Sequence, residues 1–308
     1  MENKPKISVL IITYNRTEDT LALLQSLKSQ TELTLYVGEI LLLNNASTIS
    51  YESIEKFIAD NQDLPIHYFP HDENLGVARG RNFLIKKAKF PYLLVLDDDI
   101  EFADKEGVKT ISQLFEKEQY KKNNTAVITL DIFYFENKKR QLSAFPHKNH
   151  QKYIGKDWFL TATFIGAAHL MKKELFEKTG YYPEDFFYGM EEYDLSYRII
   201  QEGYTLAYDN SVKIYHKESP LGRVPNKDKI AMMWYNKCVV AWRYLPNKFF
   251  YSTAFMWSLE YLRKSKFDVM GMLKNLGKIR NIPKEKETHK IDQKALDYLR
   301  KVEARLKY

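Results

Sequence analysis

The stretch "LLVLDDDIEF" at 93–102 runs four apolar residues straight into Asp97, Asp98 and Asp99. Three adjacent carboxylates raise one another's pKa unless a cation or hydrogen-bond donors stand close by. A hard divalent ion takes oxygen ligands, and Asp97 and Asp99, one residue apart, suit an ion and a neighbouring hydroxyl together. The plainer reading is an acidic loop satisfied by backbone donors and water. Position favours the ligand reading, because open α/β sheets bind ligands beyond the carboxyl ends of their strands. Three other groups could act with the aspartates. Arg79 and Arg81, in "ENLGVARGRNFLIKKA" (73–88), open a helix, where guanidinium and free N–H groups favour phosphate. Glu191, Glu192 and Asp194 begin the helical "EEYDLSYRIIQEG"; acidic first turns are common for dipole reasons alone, but one such carboxylate could be a general base. His216, in "VKIYHKES", has an imidazole suited to a manganese-like ion when a carboxylate supplies another ligand.

These residues need a scaffold, and the first 100 residues describe one. Continuous apolar runs at 7–13, 39–45, 66–70 and 92–99 have strand length, and the helical patterns 17–30, 51–61 and 76–88 separate them. Thr17 stands where an N-cap would be. Such alternation predicts an α/β fold with a mostly parallel sheet flanked by helices. Thr13, Tyr14, Asn15, Arg16, Asn44 and Asn45 then share the strand ends with the aspartates. A further strand is expected at 125–133, a polar linker at 217–229 and long helices from 228 onward. This divides the chain into a catalytic domain, 1–225, and a helical C-terminal region, 226–308. The closing charged segment, 284–308, reads as a solvated helix or frayed tail.

Composition narrows the classes. The chain has 308 residues, 44% hydrophobic and 28% charged, enough for a full core. Its single cysteine, Cys238, excludes an internal disulfide and reads as a small buried apolar residue. The opening "MENKPKISVLIITYNR" lacks a signal-peptide layout, and "FFYSTAFMWSLEYL" (249–262) is broken by Glu260 and too short to span a membrane. A cytoplasmic protein is the expectation. Net charge is +7, yet residues 226–308 alone hold 19 Lys and Arg against 8 Asp and Glu, so the front is mildly acidic. That polarity argues against nucleic acid as a partner. It suits a basic tail, with Trp234, Trp242, Phe249, Phe250 and Trp257, that meets the inner face of the plasma membrane or else caps the catalytic domain. A haloacid-dehalogenase-type phosphohydrolase would need a small hydroxyl residue where Glu101 stands. No G-x-G-x-x-G follows the first strand, and no Walker A sequence occurs.

Taken together the segments resemble the family 2 glycosyltransferases, inverting enzymes with the GT-A fold. The resemblance rests on "ISVLIITYNR", "ILLLNNAST", "NLGVARGRN", "LLVLDDD", "FIGAAHLMKKELFEKTGYYPEDFF", "EEYDLSYRIIQEGY" and "IYHKES", in the family's order over about residues 5–216. "WYNKCVVAWRYLP" (234–246) is similar to the tail of its rhamnosyltransferase-like branch. The resemblance implies a donor pocket lined by Thr13, Tyr14, Asn15 and Arg16, with Asn44 facing the base. Arg81 would approach the phosphates, Asp97 and Asp98 the ribose or donor sugar, and Gly166 the donor site. Asp99 and His216 would hold Mn2+ or Mg2+. Glu192 would be the base, with Glu191 in reserve and Asp194 beside them. The donor would be a UDP-, dTDP- or GDP-sugar and the acceptor a glycan or lipid-linked hydroxyl, in surface polysaccharide biosynthesis. Asn44 replaces the family's usual Asp, so a uridine preference does not follow. Glu192 replaces the commoner Asp. A catalytically silent sugar-nucleotide-binding or scaffold protein is the alternative from outside the enzymes.

Overall fold

The computed structural model describes residues 6–219, 221 and 226–306. β1 (Ile7–Thr13), β2 (Val37–Asn45), β3 (Ile66–His71) and β4 (Tyr92–Asp97) pair in parallel, in the order β3-β2-β1-β4. α1 (Thr17–Lys28), α2 (Glu52–Asp60) and α3 (Gly76–Lys87) lie between them in sequence. The sheet continues with β8 (Ala168–Lys172), β6 (Thr125–Tyr134), β9 (Thr205–His216) and the short β5 (Ile100–Phe102), while β7 (Trp158–Thr161) also pairs with β9. This second half is mixed, because β8 runs antiparallel to both β4 and β6. Parallel pairing therefore dominates only the half that the periodicity described.

Side-chain alternation splits the core into two layers. Leu10, Leu41, Leu43, Leu93 and Val95 pack with Ala78, Leu84 and Ile85 of α3. Val9, Ile11, Ile40, Leu42, Leu94 and Leu96 meet Leu23, Leu24 and Leu27 of α1 and Ile54 of α2 on the other face. Register sets the strand ends level: Thr13 pairs with Asn44, and Ile12 with Asp97.

Some details differ from the sequence expectation. β4 stops at Asp97, and Asp98 and Asp99 form the turn into β5. Thr17 is the first helical residue rather than the cap; Arg16 precedes it, and the Thr17 hydroxyl donates to Ser50 O at 2.9 Å. Part of the expected linker, residues 220 and 222–225, lies outside the described residues. The C-terminal helices are α5 (Asn226–Tyr244), α6 (Asn247–Lys264), α7 (Val269–Glu285) and α8 (Gln293–Lys301). They share the first core layer with the sheet, through Trp234, Cys238, Ile279 and Leu299. Trp234, Phe249, Phe250 and Trp257 are buried there, and Trp242 donates its ring N–H to Lys286 O at 2.9 Å. Of the two readings of these aromatic residues, membrane contact or a cap on the domain, their burial follows the cap, because packing on the domain hides more apolar area than leaving them outside. Cys238 is buried as expected.

The tail is docked, not frayed. Asp292 caps α8 by accepting Ala295 N–H at 2.7 Å, and the Tyr298 hydroxyl donates to Thr161 O at 2.8 Å. Leu299 is fully buried. Leu299→Ala is therefore expected to cost ~2–4 kcal/mol in urea unfolding. A loss within error would return the segment to a solvated tail.

Candidate active site

Beyond the ends of β1, β2 and β4 lies a cavity of about 730 Å³. Tyr14, Asn15, Arg16, Asn45, Asn74, Arg81, Asp97, Asp98, Asp99 and His216 are among its lining residues. Asn15 holds a left-handed backbone, φ 55°. Asparagine tolerates this conformation better than most residues. Its side-chain carbonyl accepts Thr48 N–H at 2.8 Å, and its own N–H donates to Ser47 Oγ at 2.9 Å, so the loops after β1 and β2 are tied together. Asn45 holds the next loop: it accepts Leu75 N–H at 2.8 Å and donates to Asn74 Oδ1 at 3.0 Å.

Arg16 meets the aspartates from one side. Its Nη1 lies 2.8 Å from Asp98 Oδ1 and 3.2 Å from Asp99 Oδ2. Burial still pushes Asp98 up to about 7, with Arg16 opposing and Asp99 adding to the rise. Asp97 is also raised, by burial first, against the pull of Arg81. Asp99 is lowered: burial acts upward, but the bond and charge of His216, the charge of Arg16 and the Ser219 N–H outweigh it. The three neighbours thus divide into two raised groups and one ionised one.

β5 and β9 complete this corner. Their antiparallel register places Ile100 opposite His216, which brings His216 Nε2 to 3.2 Å from Asp99 Oδ1. Gln141 Oε1 accepts from His216 Nδ1 at 2.9 Å, since the Gln141 amide nitrogen is committed to Glu218 at 2.8 Å and Ser143 at 3.1 Å. That bond fixes the ring and leaves Nε2 as the ligand atom. One ligand atom each from Asp97, Asp99 and His216 lie within 4.8 Å of one another. Two carboxylate oxygens and an imidazole nitrogen fit a manganese- or magnesium-like ion. The sequence proposed Asp99 and His216 as metal ligands; the structure places Asp97 close enough to join that candidate set.

Arg81 stands on the opposite side, buried in the first turns of α3. Its Nη1 donates to Glu192 Oε1 at 2.8 Å and lies 3.9 Å from Glu191 Oε1; its Nη2 donates to Gly166 O at 3.1 Å and lies 3.7 Å from Asp97 Oδ1. Glu191 and Glu192 begin α4 (Glu191–Gln201), directly after Gly189 (φ 81°) and Met190 (φ 75°), both left-handed. Asn236 of α5 clamps this turn by donating to Tyr188 O at 3.1 Å and Gly189 O at 2.9 Å. Gly166 cannot be replaced freely: a Cβ there would lie 2.3 Å from Glu192 Oε1 and 2.9 Å from Arg81 Nη2.

Glu192 and Gly166 also line a second cavity of about 660 Å³, with Tyr193, Lys237, Trp257 and Arg305 among the other walls. Glu192 is not on the wall of the first cavity, but its hydrogen bond to Arg81, which is, joins the two walls. Glu191 does not line either cavity. Burial, then the charge of Glu192, push it up to about 8 despite Arg81, and its Oε2 has no hydrogen-bond partner among the described residues.

Like Glu191, the sequence candidates Thr13, Asn44 and Asp194 are not brought to a cavity wall. Thr13 is buried, hydrogen-bonded to Thr20 Oγ1 at 2.7 Å and Tyr51 Oη at 2.6 Å. Asn44 points with Leu42 to the other face, where it donates to Tyr68 Oη at 2.9 Å, and Asn45 takes the cavity side. Asp194 is an anchor, held by Arg198 at 2.7 Å, Arg243 at 2.9 Å and Tyr244 Oη at 3.0 Å. Strand parity could have separated Asn44 from Asn45, because Leu41 and Leu43 share a layer with α3. Gln141 and Asn236 carry no local signal in the sequence.

Residues 8–180 match the profile of "Glycosyl transferase family 2", more than half of the chain. The chain belongs to glycosyl transferase family 2. Among relatives of this family 2 chain, an uncharacterized protein of Haemophilus influenzae is 33% identical over 188 residues, 59% of this chain and 95% of the relative. A teichoic acid poly(glycerol phosphate) polymerase of Staphylococcus epidermidis is 28% identical over 98 residues, 32% of this chain but 13% of that protein. Among solved structures, GalNAc-T7 with UDP, GalNAc and Mn2+ superimposes with a TM-score of 0.62 at 19% identity. The match covers 92% of this chain and 57% of that one, and supports the GT-A fold.

Glu191 makes a testable feature of this site. Its carboxyl ionises near the ordinary value when unfolded but only around pH 8 when folded. It therefore withdraws stability as pH rises from the first value to the second. Glu191→Gln lacks that proton linkage. The Tm difference, variant minus parent, is expected to grow by ~2–6 °C between about pH 5 and about pH 8. A constant difference would mean that Glu191 ionises in the fold as it does in water.

Proposed function

We propose that this family 2 chain is an inverting hexosyltransferase. It moves a sugar from a nucleoside-diphosphate donor to an acceptor hydroxyl, with Mn2+ or Mg2+ as cofactor. The observation that carries this reading is the Arg81–Glu192 hydrogen bond at 2.8 Å, which joins the wall of the cavity rimmed by the aspartates to the wall of a second cavity. The donor occupies the first cavity, where Tyr14, Asn15 and Asn45 seat the nucleotide and Asp97 and Asp98 reach its ribose or sugar. Asp97, Asp99 and His216 would hold the divalent ion, which would supply positive charge against the charge gathering on the departing diphosphate.

The acceptor enters the second cavity. The Arg81 guanidinium holds Glu192 Oε1 at 2.8 Å on the wall of that cavity, so one carboxylate oxygen can take the acceptor's hydroxyl proton. The oxygen then bonds to the anomeric carbon as the bond to the diphosphate breaks on the opposite side, which inverts the configuration. Glu191 is the poorer base, because a buried carboxyl pushed up to about 8 holds its proton at neutral pH. The surface-polysaccharide setting is supported by family analogy and by the teichoic acid polymerase among the relatives. A glycan or lipid-linked acceptor suits that setting.

Calorimetric titration with UDP-, dTDP- and GDP-sugars, with and without Mn2+, tests the donor site. One nucleotide class is expected to bind, and more tightly with Mn2+. Binding by none of them, with the protein folded, would move the balance to a silent scaffold. Glu192→Gln is expected to lower kcat by ~10²–10⁴ while donor affinity changes little. Unchanged turnover would remove Glu192 from the base role, and a product with the donor's anomeric configuration by NMR would remove inversion.

A further inference from the structure

Burial of the tail aromatics leaves a different set of apolar residues outside. Tyr251, Phe255 and Leu259 recur every four residues along α6 and are all exposed, as are Met270 and Leu273 on α7. Between the helices stands Phe267, 76% exposed, close in sequence to Met270 at 77%. Isolated exposed apolar residues are ordinary, but a run along two consecutive helices and their connecting turn marks an interaction surface.

The turn is built to hold this display. Lys266 (φ 57°) and Phe267 (φ 64°) are both left-handed, a conformation that bulky residues seldom adopt. Phe267 N–H bonds back to Leu262 O at 2.8 Å, which closes the end of α6 without a glycine. Asp268 locks the other side by accepting Gly271 N–H at 3.0 Å and the Tyr261 hydroxyl at 2.9 Å. These bonds fix the backbone that carries Phe267.

Charge identifies the partner. Lys248, Lys266, Lys274 and Lys278 are exposed on the same two helices and their turn. Of the acids there, Glu260 pairs with Arg263 at 2.8 Å and Lys264 at 3.0 Å and Asp268 with Lys227, while the exposed Glu285 stands at the far end of α7 from the turn. A two-fold contact between copies would set this lysine-rich surface against itself, which like charge opposes. Apolar tips ringed by lysines match an anionic lipid surface, where the rings and thioether enter the interface and the ammonium groups meet lipid phosphates. No helix among the described residues is long and apolar enough to cross a membrane, so the contact would be peripheral.

We infer that the turn between α6 and α7, with Phe267 and Met270 at its tip, docks this protein on anionic phospholipid bilayers. This does not rest on the transferase reading. The test is co-sedimentation of the full chain with vesicles of phosphatidylcholine alone, or with ~30% phosphatidylglycerol. Binding to the phosphatidylglycerol vesicles is expected, and Phe267→Ser with Met270→Ser should weaken it by ~10-fold or more. Lys266→Glu with Lys274→Glu should also weaken it ~10-fold or more, and salt near 0.5 M should reduce binding by the parent. Circular dichroism and Tm check that both variants fold. No binding by the parent, or equal binding by folded Ser variants, would overturn the inference. So would sedimentation equilibrium showing a dimer that the Ser variants abolish, with no vesicle binding.

Discussion

The site depends on one buried cation. Arg81 reaches Asp97, Glu191, Glu192 and the Gly166 carbonyl from a single guanidinium group, so it links a wall residue of the first cavity to two of the second. Three acids around one arginine leave an excess of negative charge in a place with little water. The protonated state of Glu191 relieves part of it. A buried ion pair adds little to stability relative to apolar packing, but removing one partner strands the other charge at a cost of ~3–5 kcal/mol. The cluster is therefore best understood as a positioning device. Arginine suits it because its planar fork aims at two acceptors in fixed directions, which a lysine could not do.

Backbone strain gathers around the same region. Asn15, Ala46, Met190 and Glu218 are all left-handed without being glycine. Each lies at the end of a strand or the start of a helix that carries a site residue. Such conformations cost about 1–3 kcal/mol apiece and persist where the surroundings fix them. The ties between Asn15 and Ser47–Thr48, and the Asn236 clamp on the turn before Glu191, are those surroundings.

The C-terminal helices belong to this arrangement. Asn236 and Arg243 reach from α5 to the turn before α4 and to Asp194 within it, and Trp234 fills the core beneath. Helices that the charge balance set apart thus help to aim Glu192. The basic surplus of the tail remains on its outer side, around the apolar residues that packing leaves exposed.

The sequence by itself determined the parallel half of the sheet, because continuous apolar runs and helical spacing are local patterns that burial on two faces dictates. It also located the aspartates, the acidic helix start and His216, since rare residue types at strand ends and helix starts stand out against an apolar background. What only the tertiary structure decided is who meets whom. Arg81 and Glu192 are 111 positions apart, and His216 finds Gln141 across 75. Asn44 and Asn45 look alike in one dimension and face opposite layers in three. The tail's aromatics read either as a membrane surface or as a cap on the domain, and the core took Trp234, Phe249, Phe250 and Trp257 while leaving Phe267 and Met270 outside. These outcomes depend on register, on the hand of a turn and on which apolar face finds a partner. Such contacts form between distant parts of the chain, where periodicity carries no information.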